Sequence, residues 1–181
     1  MTTSEHQKIA NIPVIDLAVF QSDASPAAIE QIVKQVRSAC MDTGFFQIIN
    51  HGVPTELQKA VFAASKKVFD MSKSEKMRLK RDPFGNRGYE VLEGQSLEGA
   101  VEGHEKMQSE YSGNDLKEGY YVGKERSQDD PMLKRRFNGL NKWPPGIPEF
   151  PKVMTNYYET MYDLAIKIME LIALYICPIC V

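Results

Sequence analysis

Apolar residues recur along the chain with two different spacings, and these spacings predict its elements. Ile12–Leu17 is a short run rich in β-branched residues, and Phe45–Asn50 is a second apolar run. Both are predicted to be strands, the second of them buried. Between them, Ser25 and Pro26 form a helix start, and apolar residues then return at helical spacing as far as about Gly44. The chain is therefore predicted to begin with a strand, a helix and a strand.

Further helices are predicted on either side of an irregular region. Pro54 opens one of them, and Ser72–Glu75 is a capping box for a short turn after it. Residues 82–123 are rich in glycine and polar residues, which predicts loops and short strands. Residues 143–148 contain three prolines and cannot be helical. Apolar residues over 150–176 then keep a 3.6-residue period, which predicts a long helix.

Composition and charge limit the classes of partner. The 181 residues fit one domain, and 43% hydrophobic with 25% charged residues is ordinary for a globular protein. Lysine and arginine total 22 against 24 acidic residues, a net charge of −2, so nucleic acid and anionic membranes are not expected as partners. The first ten residues lack the apolar segment of a secretory signal, and no apolar stretch is long enough to span a membrane. A cytoplasmic location is predicted.

Several segments, taken in chain order, resemble the isopenicillin N synthase-like branch of the iron(II)/2-oxoglutarate-dependent dioxygenases. The run Ile12–Leu17 resembles the first strand of that family, and Gly44–Val53 resembles its second strand and is the most specific match. Arg87–Tyr89, Asp115–Glu118 and Gly139–Pro144 resemble later landmarks of the family. The long helix lies where the family has its central helix.

The resemblance implies an α+β fold. This fold would be the N-terminal helical and strand portion of a double-stranded β-helix, or jelly-roll, oxygenase, incomplete and with a long central helix. A non-haem dioxygenase N-terminal domain is implied over residues 11–176, between a disordered tail over 1–10 and an atypical tail over 177–181. The catalytic half of the family, with its His-x-Asp motif, a distant second His and an Arg-x-Ser, is expected to be missing, so the chain is interpreted as truncated.

The number and spacing of the histidines indicate whether the chain could bind iron. The family's chemistry needs two imidazoles and one carboxylate on one face of an iron(II) ion. The chain has three histidines, His6, His51 and His104, and none is followed two positions later by Asp. We interpret His51 as a structural residue of a strand turn, His104 as a surface residue and His6 as part of the tail. No metal ligand is predicted, and iron(II) and 2-oxoglutarate, which complete family members bind, are not expected to bind this chain.

Cys177 and Cys180 have the spacing of zinc and redox motifs. A single pair starts a tetrahedral zinc site without completing it. Thioredoxin-like chemistry places such a pair at a helix N-terminus, whereas this pair follows a predicted helix C-terminus. We interpret both as incidental cysteines.

Arg87 and Tyr89 are the candidate substrate-facing residues. Family members can present residues near this position to the substrate, and a guanidinium group suits a carboxylate. We favour the interpretation that Arg87 is solvated and Tyr89 partly packed over a retained binding role, because the sheet that completes the site is expected to be missing. No catalytic residue is predicted.

The resemblance implies descent from oxidoreductases that oxidise a small organic metabolite, as in secondary metabolism, with decarboxylation of 2-oxoglutarate. The chain by itself is expected to be inactive; the alternative is a non-catalytic truncated product or a partner-binding module. Self-association is predicted through the helix stripe 161–175, which is expected to lack its usual cover. A nucleotide-binding domain is set aside because neither glycine-rich phosphate motif occurs. The apolar residues of the stripe are Met161, Leu164, Ile168, Leu171, Ile172 and Tyr175.

Overall fold

A computed structural model describes residues 12–21, 24–92 and 116–176. The chain divides into two compact units, one formed by residues up to Pro54 and from Thr160 onwards, and the other by Thr55–Glu159. The long helix near the C-terminus contributes to both units. In the described part of the chain, no helix is long and apolar enough to cross a membrane.

The first unit is built on two parallel strands. Strand β1, Val14–Asp16, pairs with β2, Gln47–Ile49, so that Ile15 lies opposite Ile48. Helix α1, Pro26–Ser38, connects them and continues as one π-helical turn over Ala39–Thr43. A 3-10 turn, Ala18–Gln21, follows β1. The predicted strand, helix and strand are confirmed.

The ends of α1 follow from local chemistry. Ser25 is the N-cap, and its hydroxyl accepts a hydrogen bond from the Ala28 N–H at 3.3 Å. Pro26 follows at the first helical position, where its missing N–H costs nothing. Gly44 ends the π-helical turn with φ of 76°, a left-handed conformation that favours glycine. The predicted start and end of the helix are confirmed.

One face of the two-stranded sheet carries the core of this unit. The prediction that the second strand is buried was wrong: Phe45 is 72% exposed, and Ile49 of β2 is also exposed. Val14 of β1 is exposed as well. Because strand side chains alternate, one set packs inwards and the other set points away from this core. An apolar run alone does not reveal that only one face is covered. The buried residues of the cluster are Ile15, Leu17, Ile32, Val36, Ala39, Val53, Leu164 and Leu171.

Helix α4, Phe150–Ile176, is confirmed, but its exposed face differs from the predicted one. Leu171 is 1% exposed, Leu164 is also buried, and Ile168 and Ile172 pack against the same core. The stripe expected to lack cover is therefore largely covered by β1 and α1. The exposed large apolar residues of this part of α4 are Met161, Tyr162, Ile166, Met169 and Ile176.

The second unit contains two helices and an antiparallel strand pair. Helix α2 spans Thr55–Phe69 and helix α3 spans Lys73–Arg78. The predicted capping box is present, since Ser72 accepts from the Glu75 N–H and Glu75 accepts from the Ser72 N–H. Strands β3, Gly88–Glu90, and β4, Gly119–Tyr121, pair with Tyr89 opposite Tyr120. A 3-10 turn spans Pro131–Lys134.

Residues 143–148, the proline-rich connector, contribute side chains to the core of the second unit. As predicted, residues 143–148 are not helical. The rings of Tyr120 and Trp143 meet the ring of Phe150 edge to face, at centroid distances of 5.4 and 5.9 Å. Such pairs add to the stability gained by burial. The buried residues of this cluster are Ala64, Val68, Ile147, Phe150 and Met154.

Two truncations on α4 test which face is buried. We expect Leu171→Ala to lower the free energy of unfolding by roughly 3 kcal/mol, because it leaves a cavity in the core. Met169→Ala, at a position 59% exposed, is expected to cost less than about 0.5 kcal/mol. Urea unfolding followed by circular dichroism measures both. Equal losses would contradict the orientation of the helix.

Candidate functional site

Strand β3 is held close to the end of α3 by backbone contacts. The Tyr89 N–H donates to the Leu79 carbonyl at 2.7 Å, and the Arg81 N–H donates to the Tyr89 carbonyl at 2.7 Å. Gly88 has φ of 107°, and a side chain there would overlap the Leu79 carbonyl. Only glycine fits this approach. The backbone thereby fixes the positions of Arg87 and Tyr89 on either side of Gly88.

Tyr89 lies in the interior of the second unit, where it takes part in an ion-pair network. Its side chain is 3% exposed, and its hydroxyl donates to Glu118 Oε2 at 2.6 Å. Lys76 Nζ donates to the same oxygen at 2.8 Å and to the Phe69 carbonyl at 3.0 Å. The Lys76 ammonium also lies 5.3 Å from the centre of the Tyr89 ring. The hydroxyl of Tyr89 is thus bound within the protein.

The pKa values of this network reflect the pairing. The hydrogen bond to Glu118 raises the pKa of Lys76. Burial alone would raise the pKa of Glu118, but hydrogen bonds from Lys76 and Tyr89 outweigh it, so that this pKa is lowered. Burial and the hydrogen bond to Glu118 raise the pKa of Tyr89. Lysine and glutamate are both held in their charged forms.

A second carboxylate, Glu90, is balanced in a similar way. Its side chain is 5% exposed, and its Oε1 lies 3.0 Å from Arg81 Nη2. Its Oε2 accepts from the Tyr121 hydroxyl at 3.1 Å and lies 4.0 Å from Lys117 Nζ. Arg81 also lies over the Tyr121 ring, 4.8 Å from its centre. Glu90 is therefore a structural residue of the strand pair.

Arg87 differs from these groups because its hydrogen bonds go to backbone carbonyls. Its Nη1 donates to the Asn86 carbonyl at 2.8 Å and makes a longer contact, 3.4 Å, to the Gly85 carbonyl. Its Nε is buried without a hydrogen-bond partner among the described residues. A side chain at Gly123 would overlap its guanidinium. Burial lowers the pKa of Arg87, and the positive charge of Arg126 lowers it further, against an opposite effect of Tyr158.

Arg126 is a second arginine of this unit with a buried Nε. Its Nη1 pairs with Asp130 Oδ2 at 2.8 Å, and its Nη2 donates to Asn138 Oδ1 at 2.8 Å. Its Nε, like that of Arg87, is buried without a partner in the described part of the chain. Sequence analysis did not single out Arg126, Gly123, Lys76 or Glu118 as functional residues. Glu118 stood in a family landmark, but no local pattern indicates the other three.

The predicted structural role of His51 agrees with its surroundings. Its Nδ1 accepts a hydrogen bond from the Val53 N–H at 3.1 Å, which fixes the turn after β2. His6, His104, Cys177 and Cys180 lie outside the described residues. Across residues 12–21, 24–92 and 116–176, no group of three His, Cys, Asp or Glu side chains is arranged to hold a metal ion. The described residues therefore do not fit the iron site of the family.

Comparison with known families identifies the chain. The model of the family described as "non-haem dioxygenase in morphine synthesis N-terminal" matches residues 12–146. This chain belongs to that family. The resemblance drawn from the strand and landmark segments is thereby confirmed.

Fungal relatives include a 2-oxoglutarate-dependent dioxygenase and a clavatol oxidase. The 2-oxoglutarate-dependent dioxygenase citB of Monascus ruber is 35% identical over 168 residues, covering 90% of this chain and 47% of the relative. Clavatol oxidase claD of Penicillium crustosum is 36% identical over 172 residues, covering 90% of this chain and 49% of the relative. The chain thus spans about half the length of the curated relatives it matches.

Solved structures give the same assignment. A full-length Neurospora crassa protein, solved in complex with alpha-KG, superposes with a TM-score of 0.69 and 26% identity over 91% of this chain and 46% of that one. JOX2, in complex with 2OG, Fe and JA, gives 0.57 and 25% over 90% and 40%. These relatives have the jelly-roll oxygenase fold, and this chain matches part of it with mixed helices and strands.

The paired carboxylate predicts a pH dependence of stability. The pKa of Glu118 is lower in the folded chain, so its pairing stabilises the fold above the unfolded-state pKa and is lost as pH falls through the folded-state pKa. We expect Glu118→Gln to lower the free energy of unfolding at pH 7 by roughly 1 to 2 kcal/mol, less than for a fully buried pair.

Urea titrations at pH 7 and at pH 3.5 measure the effect, which should shrink at the lower pH. Glu56→Gln is the matched control, because the pair of Glu56 with Lys59 is solvent-exposed. An equal loss in both variants would show that the Glu118 pair has no special role.

Proposed function

We propose that this chain forms the N-terminal half of an iron(II)/2-oxoglutarate-dependent oxygenase that oxidises a small organic metabolite. The main support for this proposal is the match to the dioxygenase family over residues 12–146. The chain spans about half the length of its relatives. The names of these relatives, a 2-oxoglutarate-dependent dioxygenase and a clavatol oxidase, support oxidation of a small molecule. The complexes of the Neurospora crassa protein with alpha-KG and of JOX2 with 2OG, Fe and JA support the same co-substrate and metal.

We further propose that the chain is inactive by itself. The reaction needs two imidazoles and a carboxylate around one iron, and none of the three histidines begins a His-x-Asp motif. Nδ1 of His51 is already occupied by the Val53 N–H. The domain is proposed to cover residues 11–176, with 1–10 and 177–181 outside it. Iron and co-substrate would then be bound by residues that this chain does not supply.

Within this half, Arg87 and Tyr89 are proposed to serve the substrate in different ways. No side chain of the described residues accepts a hydrogen bond from the Arg87 guanidinium. Of the two residues, Arg87 is therefore the one that would face the substrate. The Tyr89 hydroxyl is bound to Glu118, and its ring is buried. Tyr89 would therefore contribute indirectly, by holding β3 in place. Side chains that hold a binding strand rigid contribute to affinity through the geometry they maintain.

Anaerobic titration of the purified chain with iron(II) in the presence of 2-oxoglutarate tests the proposed inactivity. We expect no visible charge-transfer band and no tight iron, because the ligand set is incomplete. Monascus ruber citB, measured in parallel, is the positive control. A one-to-one iron complex with that band would overturn the proposal.

The alternative function, a module that binds a partner, is favoured by one face of α4. Tyr162, Ile166, Met169, Ala173 and Ile176 follow each other at alternating steps of four and three residues, the spacing of a helix-packing seam. All five are exposed. An exposed apolar seam of this kind favours self-association. The face of α4 that self-association would use therefore differs from the stripe predicted from the sequence.

Sedimentation velocity over a range of concentrations tests this alternative. We expect the chain to self-associate and Met169→Lys to shift it towards monomer, since a charge at the seam must be desolvated on association. Glu159→Gln changes the net charge by the same amount at an exposed polar position of α4 and should behave as the native chain. A native chain that stays monomeric at all concentrations would exclude self-association.

A further inference from the structure

Two exposed phenylalanines lie on neighbouring loops of the second unit. Phe84 is 50% exposed and Phe137 is 56% exposed. Their backbones are joined, because the Phe137 N–H donates to the Phe84 carbonyl at 2.8 Å. The Gly139 N–H donates to the Gly85 carbonyl at 2.9 Å, and a Cβ atom on either glycine would lie only 2.7 Å from the Cα atom of the other. The two loops are thus held in close contact, and we call residues 82–86 and 134–140 the aromatic patch.

Phe137 has a backbone conformation that is unfavourable for its side chain. Its φ is 64°, in the left-handed region that glycine and asparagine occupy most readily. The other non-glycine residues with positive φ in the described part of the chain are both asparagines, Asn50 and Asn86. Stability alone would favour asparagine or glycine at position 137 as well. Residues held in such conformations cluster at sites that bind ligands or partners.

Positive charge is concentrated on the aromatic patch. The patch contains one acidic and three basic residues, a net charge of +2, in a chain whose net charge is −2. The three basic side chains are exposed, and none of them forms an ion pair with a described residue. One of them, Arg136, has its guanidinium 5.3 Å from the centre of the Phe137 ring. The basic residues of the patch are Lys134, Arg135 and Arg136.

The acidic side chains of this region already have other partners. The carboxylate of Asp82 accepts hydrogen bonds from the N–H groups of Phe84 and Gly85, at 3.1 and 2.6 Å, and so holds the first loop in shape. Asp130 pairs with Arg126 at 2.8 Å. The basic side chains of the patch are therefore available to carboxylates from outside the chain.

We propose that the aromatic patch binds an acidic segment of a partner protein, one that carries aromatic side chains beside glutamate or aspartate. The aromatic side chains of the partner would pack on Phe84 and Phe137, and its carboxylates would pair with Arg135 and Arg136. Aromatic residues and arginines dominate the energetics of protein interfaces. This surface is distinct from the helix seam of α4, and binding to it would need neither iron nor 2-oxoglutarate.

The charge of the remaining chain favours a short segment over an extended polyanion. Because the whole chain has a net charge of −2 and the patch contributes +2, the other residues together carry −4. An anionic membrane or a nucleic acid would meet those residues as well as the patch, and would be repelled by them. A short acidic segment would meet the patch alone.

Fluorescence anisotropy of a labelled peptide tests the proposal on the full chain. The probe peptide has two tryptophans flanked by glutamates. One comparison peptide has glutamine in place of each glutamate, and the other has serine in place of each tryptophan. At constant ionic strength, we expect the probe to bind at least about tenfold more tightly than either comparison peptide. Equal binding of the probe and either comparison peptide would overturn the proposal.

Matched variants place the binding on the patch. Arg135→Gln and Phe137→Asn are each expected to weaken binding of the probe by about fivefold or more. Lys73→Gln and Phe62→Asn make the same kinds of change at exposed positions outside the patch, and should stay within about twofold of the native chain. Asparagine accepts the φ of position 137, and circular dichroism checks that this variant is folded. Native affinity in both patch variants would refute the proposal, and if Phe137→Asn does not fold, Arg135→Gln decides.

Cosedimentation with vesicles separates a protein partner from a membrane. We expect the same weak binding to vesicles of phosphatidylcholine with and without phosphatidylserine. Binding that requires phosphatidylserine and is lost in Arg135→Gln would assign the patch to a membrane surface and overturn the proposed partner. Peptide binding is measured without iron, so its failure would leave the proposed oxygenase function untouched.

Discussion

The strand pair of the second unit depends on one partly buried ion pair, between Lys76 on α3 and Glu118 just before β4. The two residues are 42 positions apart in sequence, and their bond at 2.8 Å ties the helix to the strand pair. Removing two charges from water is costly, and the cost is recovered only when the geometry is good and the remaining polar atoms are satisfied. Tyr89 and the Phe69 carbonyl supply these further bonds. The strand that follows Arg87 is therefore fixed by electrostatics as well as by its ladder.

Arg87 differs from the neighbouring arginines because its hydrogen bonds among the described residues go to backbone carbonyls. Around β3 and β4, Arg81 pairs with Glu90 and Arg126 pairs with Asp130. Arg87 lies in the same neighbourhood with carbonyl partners and a lowered pKa, caused first by burial. A fold that balances each neighbour and leaves this group unbalanced carries a local cost. Under the proposed function, this property of Arg87 is explained by a substrate-facing role.

Sequence patterns predicted the elements whose causes are local. Ser25 with Pro26, the Ser72 capping box, Gly44 and the prolines of residues 143–148 all act within a few residues, and the structure has each feature at the expected place. The ion-pair network was not predicted, because its members come from α3, β3 and the segment before β4. No local pattern marks Gly123 either, since its role depends on a side chain 36 positions away.

Orientation was harder to predict than element type, for a physical reason. Helix α4 carries apolar residues on more than one face, so its period shows that it is helical without showing which face the first unit covers. Leu164 and Leu171 face the core, whereas Ile166 and Met169 lie on a second apolar face. The run at β2 raised the same difficulty, because it has apolar residues on both sides of the strand.

The first unit therefore has apolar surface in excess of what its own core uses. Parallel strands are normally covered on both faces, yet Val14 and Ile49 of this sheet are exposed, as are Ile166 and Met169 of α4. Self-association would cover the helix seam alone. The proposed oxygenase half accounts for the strands as well, because relatives about twice as long have a further segment of comparable size. Under that proposal, the exposed apolar residues of the sheet and of α4 would form the surface on which the catalytic half completes the fold. The helix seam through which the chain would self-associate is part of the same surface.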